Sequence, residues 1–139
     1  MLNKKDVSIK LISRQSDGEN NEETELFSQG KYEKIDGGYK ISYDETEATG
    51  FEGSTTSLTV TNNKVVMDRY GKVSSNLIVE LGTKHHCVYG TPYGDFMIGV
   101  NATSIVSNLD DNGGKLDFHY VIDINSSYLG DFDISVEVK

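Results

Sequence analysis

Tryptophan is absent from this chain, and proline and cysteine occur once each, as Pro92 and Cys87. A single cysteine rules out an intrachain disulfide framework and suits a reducing compartment, so the expected setting is the cytoplasm. No apolar run approaches the length of a membrane span, and no apolar stretch follows Lys4-Lys5, so neither a membrane anchor nor a signal peptide is expected. Basic clusters are equally scarce. Lys4-Lys5, Lys31/Lys34 and Lys64 with Arg69 are all diluted by acids, and the formal net charge is −9. Such a surface repels phosphate backbones and anionic headgroups, so neither nucleic acid nor membrane is expected as a partner.

What is present is short, β-prone and alternating. Eight Tyr and five Phe recur among Val, Ile and Thr, which is enough apolar material for one core. A period of two dominates, and no helical stripe appears. The pattern predicts strands over Asp6–Arg14, Glu23–Ile35, Tyr39–Glu45, Ser54–Thr61, Lys64–Tyr70, Asn76–Leu81, Lys84–Thr91, Asp95–Asn108, Leu116–Ile124 and Phe132–Val138. Gly30 interrupts the second run and suggests a bulge or bend. Asp36-Gly37-Gly38, Asn62-Asn63, Pro92-Tyr93-Gly94 and Asp110–Gly114 carry turn chemistry, and Thr46–Gly53 reads as a looser acidic connection.

Ten strands joined by short turns predict an all-β, antiparallel meander. Each strand has one wet face, so the sheet closes, most simply into a barrel of about eight to ten strands, with a two-sheet sandwich as the alternative. Residues 1–139 read as a single domain, near the commonest domain size.

Tyr43-Asp44-Glu45, Gly53-Ser54-Thr55-Thr56-Ser57, Arg69-Tyr70-Gly71 and Tyr89-Gly90-Thr91-Pro92-Tyr93-Gly94 follow one another at hairpin spacing. In this order they resemble the YwiB-like family of small bacterial proteins, although Ser57 stands where that pattern has a threonine. The resemblance implies a calycin-type, lipocalin-like barrel in a bacterial cytoplasm. It brings no assigned activity and no catalytic residue.

Strand parity selects the residues with chemical potential. Glu45 is in phase with Tyr39, Ile41 and Tyr43, and Arg69 with Val65 and Met67, so both charges point inward or sit at the barrel rim. A buried charge is costly unless paired, so the two are expected to form an ion pair at one end of the barrel, near Tyr43 and the Thr91-Pro92-Tyr93 turn. One reading makes the pair a structural pin for strand register; the other makes it a polar floor for a ligand's charged group. Tyr43, Tyr89 and Tyr120 have rings and hydroxyls suited to lining a cavity, and Tyr93 is expected at the rim. The candidate ligand-binding set is therefore Tyr43, Glu45, Arg69, Tyr89, Thr91, Tyr93 and Tyr120.

Other chemistry is not legible. His85 and His86 face opposite sides of a strand, and no His/Cys/Asp set has metal-site spacing. His85 and Cys87 share a face without a third orienting residue, so Cys87 is expected to be a buried, inert thiol. Phosphate loops and nucleophile elbows are missing, and the acidic pairs lie in or beside turns. No catalytic residue, metal or cofactor is expected. The sequence supports a small-molecule binding barrel first, a protein-interaction or assembly domain with a filled core second, and a hydrolase-like enzyme last.

Overall fold

The computed structural model describes residues 4–72, 74–91 and 93–139, with the side chain of Thr91 outside the description. Ten strands run β1 (Lys4–Ser16), β2 (Asn21–Ile35), β3 (Gly38–Asp44), β4 (Ser54–Thr61), β5 (Lys64–Gly71), β6 (Ser75–Glu80), β7 (Lys84–Thr91), β8 (Gly94–Asp110), β9 (Gly113–Ile124) and β10 (Ser127–Val138). Each pairs antiparallel with its sequence neighbour, and β1 pairs with β10 to close the barrel. No helix occurs among the described residues. The expected meander barrel is what the chain forms, consistent with a calycin-like fold.

Hairpin chemistry accounts for the tight reversals. Two-residue loops separate the pairs Ile35↔Gly38, Thr61↔Lys64, Asp110↔Gly113 and Ile124↔Ser127. In the last, Asn125 and Ser126 both hold positive φ, at 52° and 68°, as a type I′ turn requires. That turn starts β10 five residues before the position that alternation predicts. The apolar pattern begins late because a register shift between Tyr128 and Gly130 turns Tyr128 and Leu129 outward. The pair Thr91↔Gly94 confirms the predicted β7–β8 hairpin, with Pro92 itself outside the described residues.

Gly30 is not a bulge. It stays in register between Val7 and Tyr43, and a Cβ there would meet the Ser42 carbonyl at 2.3 Å and Ile9 at 2.4 Å. The glycine permits close backbone approach. A bulge lies instead in β8 at Thr103, between the pairs Ala102↔Tyr120 and Ser104↔His119. It shifts the phase of β8, so inward positions run through Ile98, Val100 and Ala102 and then resume at Ile105.

One end of the barrel is dry. Ile41, Leu58, Val65, Val79, Val100, Leu116 and Val136 have no exposed surface. Each such side chain contributes about 1.5–3 kcal/mol when taken from water. The β8–β9 turn closes that end. Tyr32, stacked on Tyr39 at 5.1 Å, donates to the Asp110 carbonyl at 2.7 Å, and Tyr39 donates to the Asp111 carboxylate at 2.8 Å.

The wall is uneven. Among the described residues nine of the ten joints carry at least six residue pairs, but β6 and β7 share one, Asn76↔Val88. Side chains take over where the ladder stops: Ile78 N–H donates to Cys87 Sγ at 3.3 Å, and Gly90 N–H to Ser75 Oγ at 2.9 Å. A Cβ at Gly90 would sit 1.9 Å from the Ser74 carbonyl, so only glycine fits this seam.

Candidate functional site

A row of paired residues crosses the barrel at the end opposite the β8–β9 turn. Tyr43 is opposite Thr56, Thr56 opposite Arg69, and Arg69 opposite Ser75. Parity sends all four inward, and lateral neighbours on one face lie within reach of each other. Glu45 joins them from just beyond β3, where its N–H donates to the Ser54 carbonyl at 2.9 Å and so continues the β3–β4 pairing.

The ion pair expected from parity is present. Arg69 Nη2 donates to Glu45 Oε2 at 3.4 Å, with side-chain exposures of 12% and 2%. Arg69 Nε donates to Thr56 Oγ1 at 3.2 Å, and Thr56 Oγ1 donates to the same Glu45 oxygen. Thr49 Oγ1 donates to the other carboxylate oxygen at 2.8 Å. Both carboxylate oxygens are thus satisfied, which is what allows the charge to stay buried. The guanidinium also lies over Phe51, its carbon 3.8 Å from the ring centroid, a cation–π contact.

Beside this network the barrel encloses a cavity of about 140 Å³. Leu11, Met67, Leu77 and Ile134 supply apolar wall, and Tyr43, Tyr89 and Tyr120 supply rings and hydroxyls. The cavity reaches the surface beside Gln15 and Glu22, both exposed. Tyr120 stacks on Phe132 at 5.2 Å and on Phe118 at 6.0 Å, which fixes its ring. Burial raises the Tyr43 and Tyr120 phenols well above their ordinary value; Glu45 adds to the rise at Tyr43, Tyr89 to that at Tyr120, and Arg69 opposes both. They are neutral hydrogen-bonding groups throughout the physiological range.

Five of the seven candidate residues, Tyr43, Glu45, Arg69, Tyr89 and Tyr120, line this one space. The two others do not join them. Tyr93 is 94% exposed in its turn rather than packed at the rim, because alternation sets no direction for a turn residue. The Thr91 side chain and Pro92 lie outside the described residues, as therefore does the expected approach of that turn to the ion pair. Thr49 and Phe51 are additions from the acidic β3–β4 connection. The signal for Phe51 is a lone aromatic in an otherwise polar loop.

No thiol–imidazole pair forms. Cys87 is buried against Ile78, while His85 Nε2 contacts Glu80 Oε1 at 2.8 Å. No group of three or more His, Cys, Asp or Glu able to hold a metal occurs among the described residues. On the outer wall, the Thr103 hydroxyl at the bulge meets His119 Nδ1, and His119 Nε2 lies 3.9 Å from Asp131, too far for a hydrogen bond. This triad-like order is therefore incomplete.

A family profile described as a domain of unknown function, DUF1934, matches residues 9–136. The fold is similar to the crystal structure of the ywiB protein from Bacillus subtilis, with a TM-score of 0.81 at 22% identity, covering 98% of this chain and 93% of that one. No curated protein matches the sequence.

Proposed function

This chain belongs to the DUF1934 family, and from that premise we propose that it is a binding module, taking a small molecule or the small end of a larger one into the cavity beside Glu45 and Arg69. One observation carries the reading. The barrel is filled with apolar side chains at one end, yet at the other it keeps about 140 Å³ open beside a buried ion pair whose carboxylate oxygens are both hydrogen-bonded. Apolar walls with a few fixed polar groups are the usual make-up of a ligand site. A space of this order suits about six non-hydrogen atoms. The Thr49 and Thr56 hydroxyls that donate to Glu45 rest on a carboxylate already neutralised by Arg69, so binding rather than turnover is what the groups support.

Native mass spectrometry of protein purified from its own host tests this. A small retained mass is expected on the unaltered chain and not on Ser13→Phe, since Ser13 lines the cavity and a phenyl ring there fills it. An unloaded chain that gains no thermal stability from any fraction of a host small-molecule extract overturns the proposal.

A second reading, an interaction surface, is supported by Val88 and Met97, paired across β7 and β8 and exposed by 43% and 60% on the outer wall. Sedimentation of the chain with and without Met97→Lys tests it; identical monomeric profiles count against self-association through this patch.

A further inference from the structure

Resting on the cavity as a binding site, we infer that its ligand is uncharged and presents a hydrogen-bond acceptor oxygen, a carbonyl or hydroxyl, to Tyr120, Tyr89 and Arg69. The first observation is an unused donor. Tyr120 is 4% exposed, and its hydroxyl makes no hydrogen bond among the described residues; Tyr89 likewise makes none. No fully enclosed side-chain oxygen or nitrogen in the described residues lacks a partner, so the Tyr120 hydroxyl looks onto the cavity. Arg69 adds to this set. Its bonds to Thr56 and Glu45 engage Nε and one Nη, out of five N–H groups on a guanidinium. The guanidinium can only donate and the phenols can donate beside it, so the group that all three can serve at once is an oxygen acceptor.

Charge excludes the ionic versions of that acceptor. Arg69 is neutralised by Glu45, so a carboxylate or phosphate entering the cavity finds no uncompensated cation and gives up its hydration. The approach is also unfavourable to anions. The connections at this end carry Asp17, Glu19, Glu47 and Glu52 against Lys72, and Glu22 stands at the opening. A cation meets the acidic opening favourably but then faces Arg69 and hydroxyls, while both oxygens of Glu45 are already engaged. A neutral acceptor avoids both penalties.

The test uses three probes of matched shape that differ in charge: butyramide, butyrate and butyramidinium, titrated into the full chain and followed by heteronuclear NMR. Butyramide is expected to shift the amides of Ser13, Leu77 and Tyr120 and to bind at least about tenfold more tightly than either ion, the ratio given by one unpaired charge modestly desolvated. Tyr120→Phe removes an unpartnered hydroxyl, so its stability should match the parent while butyramide binding weakens about fivefold. Equal or tighter binding of butyrate or butyramidinium at these residues overturns the inference and leaves the binding site standing. If none of the probes shifts these residues, the binding-site reading itself falls. Unchanged butyramide affinity in Tyr120→Phe removes Tyr120 from the recognition set and overturns the donor argument.

Discussion

The guanidinium of Arg69 rests on the ring of Phe51, 3.8 Å from its centroid, so the side chain that neutralises Glu45 also fastens the β3–β4 connection over the barrel end. Two groups in or beside a loop are thus held by a single cation from a strand.

Arg69→Met should therefore strand a carboxylate that is 2% exposed, at a cost of about 3–5 kcal/mol. Glu45→Gln combined with Arg69→Met should recover much of that loss, because the two act as a unit. Urea titration of the single and double variants measures it. Additive losses would show that the pair is not the source of the penalty.

Cys87 is 5% exposed and accepts a hydrogen bond from Ile78 N–H in the β6–β7 seam. A maleimide should label it slowly in buffer and rapidly in denaturant, since a buried thiol reacts only through opening. Native labelling as fast as that of the unfolded chain would place the thiol outside the wall.

Burial holds the phenols of Tyr32, Tyr43 and Tyr120 above the ordinary 10.0. Their neutral form is favoured by the fold, so this contribution to stability is complete below about pH 10 and declines as pH rises beyond it. Spectrophotometric titration should show these tyrosines ionising only together with unfolding. In Tyr43→Phe plus Tyr120→Phe the alkaline unfolding midpoint should move upward. An unmoved midpoint would assign alkaline unfolding to other groups.

Gly30→Ala and Gly90→Ala place a Cβ 2.3 Å and 1.9 Å from backbone carbonyl oxygens, which have no rotamer to escape into. Each should lose about 1–3 kcal/mol or more. Gly18→Ala, with open space around it but φ at 94°, should lose only the backbone strain of about 1–2 kcal/mol. Equal losses at Gly18 and Gly90 in thermal unfolding would argue that no close approach exists at the seam.

Much of this is legible in the sequence, for a physical reason: in a sheet of period two, a charged residue in phase with apolar ones has nowhere to point but inward. Alternation alone puts Glu45 and Arg69 on the inner face, and their pairing follows from the cost of lone charges. It also sets the strand count and most of the turns. It does not reach Phe51 or Thr49, whose positions depend on how a nine-residue connection folds back (residues 45–53) rather than on alternation. At Gly30 it suggests a bulge that the register does not contain, because a glycine that makes room for a neighbouring strand and one that interrupts its own look alike in one dimension. The Thr103 bulge in β8 leaves only a faint trace in the sequence, the odd spacing from Ala102 to Ile105.

The thin joint between β6 and β7 changes what kind of object the barrel is. A sheet bonded evenly all round is a hoop, and it must break several ladder bonds at once to change girth. This one is a closed ring with one thin joint. Among the described residues its two facing strands are laced there by Ser75, Cys87 and one backbone pair. Each shields the other from passing strands, so the usual hazard of an open edge stays covered. Amide exchange is therefore expected to be fastest along that line among the strands. Because Leu77 of β6 and Tyr89 of β7 both line the cavity, the thin joint runs down the side of the chamber itself.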